Sequence, residues 1–377
     1  MTDRNLDKKA TVYVLGAGAS NAMMPSAPLM AQLLPEALKL FDEHPLYSRG
    51  LWGERVQRIK DFLKDFYNLN RNSLPNLEDM LTLLDDAITE DRPISRNYSL
   101  LLLRKLREDL VYTICETLRQ KLDYGSELNY NLMEGFINLL DSDNNDASIL
   151  SLNYDIIIDN ALLRNIHDGP INYGLPVRYN LLRNREGHRN EVAPIIYNPR
   201  PQQKVTPHHL QKLNLLPLYK IHGSLNWLFC PSCQQLDVTI GVKGVQFIYA
   251  DGTNFGCPVC HGRYDPLIIT PTLLKEYKNM ILREIWRQAE DKISQADNIV
   301  FIGYSLPEAD AQLRCMLSRA LFKNKIRRNE QGDSSRCNIQ VVGKRPREEN
   351  EAYKRYVALF GKVEYYSNGF QGYIENP

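Results

Sequence analysis

Apolar and polar residues alternate along the chain with two different periods. Short runs of β-branched and apolar residues, the first at Thr11–Leu15, are typical of buried strands. The later runs lie at 147–151, 216–221, 267–269, 298–302 and 338–342. Between them, apolar residues recur with a helical period at 155–165, 272–293, 308–322 and 348–358. This alternation predicts an α/β fold, in which helices cover a mostly parallel, Rossmann-like sheet.

A long segment after the first strand has helical periodicity alone. From Leu33 onward its apolar residues fall on one helical face, and further apolar stripes continue to Leu118. The chain has 377 residues, more than the roughly 250–300 at which a single core stops growing. We therefore predict that residues 29–145 are a helical insertion in a sheet domain formed by 1–28 and 146–377.

The charge of the chain is nearly balanced, with 46 Lys and Arg against 45 Asp and Glu. Direct nucleic-acid binding is therefore not expected. The basic run Lys323–Arg328 is predicted to be a solvated helix end, with a local phosphate or partner contact as the alternative. The start of the chain is polar, and no apolar run approaches the ~18–20 residues that span a bilayer. We expect a cytoplasmic protein without membrane contact.

Four of the cysteines form two CxxC pairs, Cys230–Cys233 and Cys257–Cys260. Each pair can present two thiolates to one tetrahedral ion, and four thiolates leave no open coordination position. This spacing predicts a structural zinc site in a ribbon module at 228–264, with a small hairpin over 238–249.

The first predicted strand ends in a small-residue loop, Gly16-Ala17-Gly18, followed by Ser20. Glycines here allow a tight turn and a close approach to a pyrophosphate, and the N–H groups of a following helix can face the anion. The third glycine of the dinucleotide fingerprint is missing, because Asn21 stands in its place. The loop is either a nucleotide site or an ordinary strand–loop–helix corner.

Polar residues also follow three later strands of the predicted sheet. Asn153 and Asp155 follow one strand, and they either cap the next helix or face the glycine loop. His222 follows another, as a ligand-site residue or a core-edge histidine bonded to backbone. Gly303 and Ser305 follow a third, where Ser305 would cap a helix or contact a phosphate or ribose.

Taken in chain order, these motifs resemble the sirtuin family and, more closely, its bacterial sirtuin-like branch. The resemblance spans residues 11 to about 345, without the insertion, and rests on Gly16–Ser20, Asn153–Asp155, His222–Gly223, the four-cysteine ribbon and Gly303–Leu306. It implies a sirtuin-type fold that binds NAD at the carboxyl edge of the sheet.

The resemblance implies a phosphate end and an adenosine end for NAD. The residues that would line the phosphates and the adjoining ribose are Gly16, Ala17, Gly18 and Ser20. Gly303 and Ser305 would contact the adenosine side. Where sirtuins close the adenine pocket with an Asn, this chain has Gly343 or Lys344.

The resemblance also implies three catalytic roles. Asn153 would position the attacking group near the nicotinamide ribose, and Asp155 would hold the carboxamide. His222 would act as a base on a ribose hydroxyl or a water.

Two segments depart from the pattern of a sirtuin protein deacylase. The Gly-Ile-Pro-Asp-Phe-Arg segment of such enzymes is replaced by Asn21–Ser26, which has no Phe and no Arg. Their Gly-Glu-x-Leu-Pro strand, which pairs with the acyl-lysine peptide, is replaced by Tyr264–Lys275. The peptide-binding half is therefore expected to be absent or rebuilt, while the NAD-cleaving half is kept.

With water in place of an acyl-lysine, the expected activity is that of an NAD glycohydrolase, with NAD as substrate. The resemblance further implies an NAD-depleting effector of antiphage defence, a homo-oligomer controlled by assembly or by a partner such as a HerA-like hexameric ATPase. The alternatives are an NAD-dependent protein deacylase and a module that senses NAD or ADP-ribose without turnover.

Overall fold

The computed structural model describes residues 9–43, 50–67, 74–123, 128–142, 145–165, 171–180, 216–239, 256–269, 279–333 and 335–377. The strands of this part are β1 (Lys9–Leu15), β2 (Asn145–Ser151), β3 (Arg178–Asn180), β4 (Leu218–Lys220), β5 (Gly223–Cys230), β6 (Gln235–Thr239), β7 (Asp265–Ile268), β8 (Asn298–Ile302), β9 (Asn338–Val342) and β10 (Glu364–Tyr366). The helices are α1 (Ala17–Met23), α2 (Met30–Glu43), α3 (Gly50–Tyr67), α4 (Leu77–Thr89), α5 (Leu100–Asp123), α6 (Tyr130–Leu140), α7 (Ile157–Asn165), α8 (Met280–Gln295), α9 (Ala311–Glu330), α10 (Glu351–Phe360) and α11 (Gly369–Glu375).

A six-stranded sheet with the order β10-β9-β8-β1-β2-β4 forms the centre of the fold. Every pair of neighbouring strands in it is parallel. The predicted α/β class is therefore confirmed. The chain adds β2 and β4 on one side of β1 and then β8, β9 and β10 on the other, so the strand order reverses between β1 and β8. Open α/β sheets bind ligands outside the carboxyl ends of the strands at such a reversal.

A second sheet has the order β3-β6-β5-β7, with β5 antiparallel to both β6 and β7. Residues 267 and 268 of the run predicted at 267–269 lie in this sheet, in β7, and not in the parallel one. The sequence did not predict β5, although all its residues are buried. β5 follows β4 after two residues, so the same chain segment leaves the parallel sheet and enters the antiparallel one.

The described part of the predicted insertion consists of helices α2 to α6. The buried residues of α4 recur at helical spacing, and α5 packs against α2, α3 and α4. The ring of Phe136 in α6 lies 5.5 Å from that of Tyr13 in β1 and 5.2 Å from that of Phe370 in α11. The helices therefore share one core with the sheet. The exact domain bounds stay a prediction.

The basic run Lys323–Arg328 lies inside α9, and the solvated interpretation is wrong for part of it. The Arg328 side chain is only 7% exposed and lies 2.5 Å from Asp297 and 2.6 Å from Asp333. The buried Asn324 donates to the Ala296 carbonyl at 2.7 Å. Ala296 is the C-cap of α8, so its carbonyl lacks a helical partner, and Asn324 supplies the donor.

None of the helices in the described ranges is long and apolar enough to cross a membrane.

Candidate functional site

The carboxyl ends of the parallel strands lie in one row. Leu15, the last residue of β1, pairs with Ser151 of β2 and with Ile302 of β8. Ser151 in turn pairs with Lys220 of β4, and Ile302 pairs with Val342 of β9. The loops after these strands hold the predicted residues, which are Gly16, Asn153, His222, Gly303 and Gly343. The register thus places the loops that carry these residues side by side, including all four predicted strand-end motifs.

The glycine loop packs directly against the loop after β8. The Gly16 N–H donates to the Ile302 carbonyl at 3.0 Å, and the Gly18 N–H donates to the Gly303 carbonyl at 2.8 Å. A Cβ on Gly16 would lie 2.6 Å from the Gly303 oxygen. Gly303 itself has φ +64°, and a Cβ there would lie 2.0 Å from the Ala19 nitrogen. Close packing alone therefore explains why these positions are glycine, and the role of these residues toward NAD stays a prediction.

Asn153 points toward the glycine loop. Its Nδ2 donates to the Gly16 carbonyl at 2.9 Å and to the Ser20 hydroxyl at 2.8 Å. Because both acceptors take amide protons, Oδ1 remains as the atom that can accept from a water or a sugar hydroxyl. Asn153 does not cap α7, so the alternative of a helix cap is wrong for this residue.

Asp155 joins the same cluster and also serves the start of α7. The Ser20 hydroxyl donates to its Oδ2 at 2.6 Å, and the Ile157 N–H donates to its Oδ1 at 3.0 Å. Burial raises the pKa of the Asp155 carboxyl, while the Lys220 charge and these two hydrogen bonds act to lower it. Asp155 therefore caps α7 and also contacts the glycine loop through Ser20, while its role toward NAD stays a prediction.

His222 lies 6% exposed at the other end of the row. Its Nδ1 is 3.0 Å from the Leu152 carbonyl oxygen. A carbonyl only accepts, so Nδ1 carries a proton and the lone pair of the neutral ring is on Nε2. The centroid of its ring lies 6.4 Å from that of Tyr154 and 6.3 Å from that of Trp286. The hydrogen bond to backbone that a core-edge histidine would make is therefore present. It also places the lone pair on Nε2, where a base could use it.

The loop after β8 carries Ser305, which is exposed. α9 begins at Ala311 with Asp310 as its N-cap, so the interpretation of Ser305 as the cap is wrong. Instead, α10 holds this loop by its carbonyls. The Tyr356 hydroxyl donates to the Tyr304 carbonyl at 3.0 Å, and Arg355 Nε donates to the Ser305 carbonyl at 3.0 Å.

The two CxxC pairs converge. Their Sγ atoms all lie within 4.8 Å of one another, and the members of this cluster are Cys230, Cys233, Cys257 and Cys260. The Cys230–Cys260 and Cys233–Cys257 sulfur distances are 3.4 Å and 3.6 Å. Sulfurs bound to one tetrahedral zinc at ~2.3 Å lie about 3.8 Å apart, so the cluster fits a four-thiolate ion. Of the predicted hairpin, only residues 238–239 lie within the described ranges.

One buried charge of the site was missed by the sequence interpretation. Lys220 is fully buried, and its Nζ lies 2.8 Å from Asp159 Oδ2 and also donates to the Asp155 carbonyl. The Tyr173 hydroxyl donates to the other Asp159 oxygen at 2.5 Å. The available signal was a lysine at the end of an apolar strand, two residues before His222.

Comparison with protein-family models gives no match, and neither does comparison with curated protein sequences. Among solved structures, a crystal structure of a Sir2 homologue–NAD complex aligns with 99% of this chain and 91% of its own, at 12% identity and a TM-score of 0.42. A mutant Sir2 homologue in complex with ADP-ribose aligns with 99% and 93%, at 13% identity and a TM-score of 0.42. Sir2 bound to an acetylated peptide aligns with 98% and 92%, at 11% identity and a TM-score of 0.38. Likeness at this level assigns no activity, ligand or partner to this chain.

Proposed function

We propose that this protein is an NAD glycohydrolase, which cleaves NAD to nicotinamide and ADP-ribose. The supporting observation is the row of strand ends that brings Asn153 against Gly16 and Ser20, with His222 on the next strand end. The order of these motifs along the chain, which resembles that of the sirtuin-like branch, supports NAD as the substrate. Asp155 is proposed to hold the carboxamide, and the loop of Gly303 and Ser305 the adenosine side.

The chemistry requires little acid assistance. Nicotinamide in NAD is a pyridinium, so the electron pair of the broken glycosidic bond stays on the ring nitrogen and yields a neutral leaving group. Water then forms the new bond to the ribose carbon and gives up a proton. We assign the placement of that water to Asn153 Oδ1 and the acceptance of its proton to His222 Nε2, the atom with the lone pair.

Nicotinamide release from NAD by the purified chain tests this function. His222→Ala is expected to lower kcat by about 10²–10⁴-fold, because it removes the proton acceptor. Asn153→Ala is expected to lower kcat by about 10²-fold, because the attacking water loses its position. Asn138→Ala, an exposed amide in α6, is the matched control and should keep wild-type turnover.

Equal and slow release by the wild type and by both site variants would contradict the proposal. Acceleration of nicotinamide release by an acetylated-lysine peptide would instead identify a deacylase. Calorimetric binding of NAD or ADP-ribose with no product after long incubation would identify a sensing module.

We further propose that the four-cysteine cluster holds a structural zinc. Its closed thiolate set leaves no position for a substrate. Cysteines that bind a metal instead of forming disulfides are typical of a reducing compartment, which supports a cytoplasmic protein.

At the cellular level, we propose a homo-oligomeric effector that depletes NAD in antiphage defence. The motif resemblance supports this role and a HerA-like hexameric ATPase as the controlling partner. Uncontrolled NAD cleavage would harm the host cell, so the activity requires restraint by assembly or by such a partner.

A further inference from the structure

We propose that Lys220 is a positioning residue for NAD cleavage, which holds the turn that carries Asn153 against the strand end that carries His222. This inference rests on the proposed function for its catalytic meaning. Its structural part stands on contacts between two short segments, 220–225 and 151–155.

The two segments are joined along their length. The carbonyls of the turn accept from donors of the strand end, in the pairs Ile221 N–H to Ser151 at 3.3 Å, His222 Nδ1 to Leu152 at 3.0 Å, Leu225 N–H to Tyr154 at 2.9 Å and Lys220 Nζ to Asp155. The peptide of Asn153 lies between these attachment points. Lys220 supplies the attachment at the α7 end of the turn.

Stability alone is a poor explanation for a buried charge at this place. Lys220 and Asp159 have side chains 0% and 1% exposed. Desolvation of two ions often equals or exceeds their attraction, and replacement by apolar residues is often neutral or stabilising. The ammonium does what an apolar side chain cannot, because it donates to the Asp155 carbonyl while Asp159 neutralises it.

The geometry links this clamp to the proposed chemistry. Asn153 Nδ2 reaches Gly16 and Ser20 only while the turn keeps its place relative to β1. His222 lies on the same strand end as Lys220, so one clamp fixes both the proposed water-positioning amide and the proposed base. A displacement of ~1 Å in such an arrangement costs about 10²-fold in rate.

A matched pair of double variants separates positioning from folding. Lys220→Met with Asp159→Asn (the Met pair) removes both charges and the donor, while the new amide oxygen at position 159 can still accept from the Tyr173 hydroxyl. Lys220→Gln with Asp159→Asn (the Gln pair) removes the same charges and has a side chain as long as that of Met, but it keeps a side-chain N–H donor. Both proteins are expected to fold with similar melting temperatures.

We expect the Met pair to lose about 10²-fold in kcat for nicotinamide release with an unchanged KM for NAD. The Gln pair should recover at least a tenth of wild-type kcat, because its amide donates to the Asp155 carbonyl. Equal kcat values for the Met pair, the Gln pair and the wild type would overturn the proposal. Equal losses in both pairs would overturn it as well, since the donor would then be irrelevant.

A second readout does not depend on turnover. In protein labelled with ¹⁵N-asparagine, the side-chain amide protons of Asn153, assigned by Asn153→Ala, should be protected from exchange in the wild type and the Gln pair. They should exchange faster in the Met pair. Unchanged protection in the Met pair would overturn the positioning role. If the three proteins show these exchange rates but the wild type releases no nicotinamide, the NAD glycohydrolase is refuted while the positioning of Asn153 by Lys220 is supported.

Discussion

At the scale of single residues, the Ser20 hydroxyl connects the glycine loop to the Asp155 carboxyl. It accepts from Asn153 at 2.8 Å and donates its one proton to Asp155 at 2.6 Å. The other Asp155 oxygen takes the Ile157 N–H. An ionised carboxylate can accept both hydrogen bonds, one on each oxygen. A protonated carboxyl carries a hydrogen on one of these oxygens, so it is a poorer partner for two donors. The burial that raises the pKa of Asp155 therefore opposes the hydrogen bonds that need its charge.

Replacement of Asp155 by Asn should expose this conflict as a pH dependence of stability. The folded-state pKa is raised, so the folded protein holds this proton more firmly than the unfolded chain. The resulting stabilisation is fully present below the unfolded pKa of about 3.9 and is lost as pH rises through the folded pKa.

The free energy of unfolding of the wild type, measured relative to Asp155→Asn, should thus decline as pH rises from about 4 toward neutrality. Urea unfolding of both proteins at a series of pH values gives this difference. A difference that stays constant over that range, or increases with pH, would refute the raised pKa.

At the same scale, the sequence predicted site roles for Asn153 and His222 but none for Lys220. The first two stand in short motifs whose chain order resembles that of a known family. A lysine at the end of a strand looks solvent-exposed, and its burial depends on Asp159, which lies on another element. The partner of a buried charge cannot be read from local pattern.

At the scale of elements, β5 joins the candidate site to the four-cysteine cluster. It begins at Gly223, directly after His222, and ends at Cys230. Gly223 has φ +83°, and a Cβ there would lie 1.8 Å from the Leu267 oxygen in β7. The packing of β7 on β5 therefore begins right beside the proposed base.

Metal removal should consequently affect nicotinamide release from a distance. Chelation is expected to release one zinc per chain, lower the melting temperature and reduce turnover, because β5 loses its anchor at Cys230. Reloading with Cd²⁺ should restore turnover, since the ion has only a structural part. A refolded cadmium protein without activity would contradict a purely structural ion.

Two strands of the parallel sheet were predicted with the bounds that the structure has. The runs at 298–302 and 338–342 coincide with β8 and β9. β5 was missed because Gly223, Ser224 and Asn226 interrupt its apolar residues. Its strand conformation depends on pairing with β6 and β7, which the local sequence does not encode.

At the scale of the whole molecule, the predicted helical insertion approaches the candidate site through α5. Val111, Ile114 and Cys115 of α5 line a small apolar gap together with Tyr154 and Leu225. Tyr154 also flanks the His222 ring. A shift of α5 on assembly would therefore move residues next to the proposed base, which gives the proposed control by assembly a physical route.

Size-exclusion chromatography with multi-angle light scattering, paired with turnover measured across protein concentrations, tests this route. We expect a homo-oligomer whose turnover per chain changes as it dissociates on dilution. A strict monomer with full NAD hydrolysis would contradict control by assembly.

The close packing of the glycine loop against the loop after β8 has an evolutionary consequence. Because a side chain at position 16 would collide with the backbone at position 303, the two positions constrain each other whatever ligand is bound. Related chains that have lost nucleotide binding should still keep both residues small. If the proposed function holds, a glycine at position 16 is therefore a poor marker of retained NAD cleavage among such relatives, and an intact pair of the proposed catalytic residues, Asn153 and His222, is a better one.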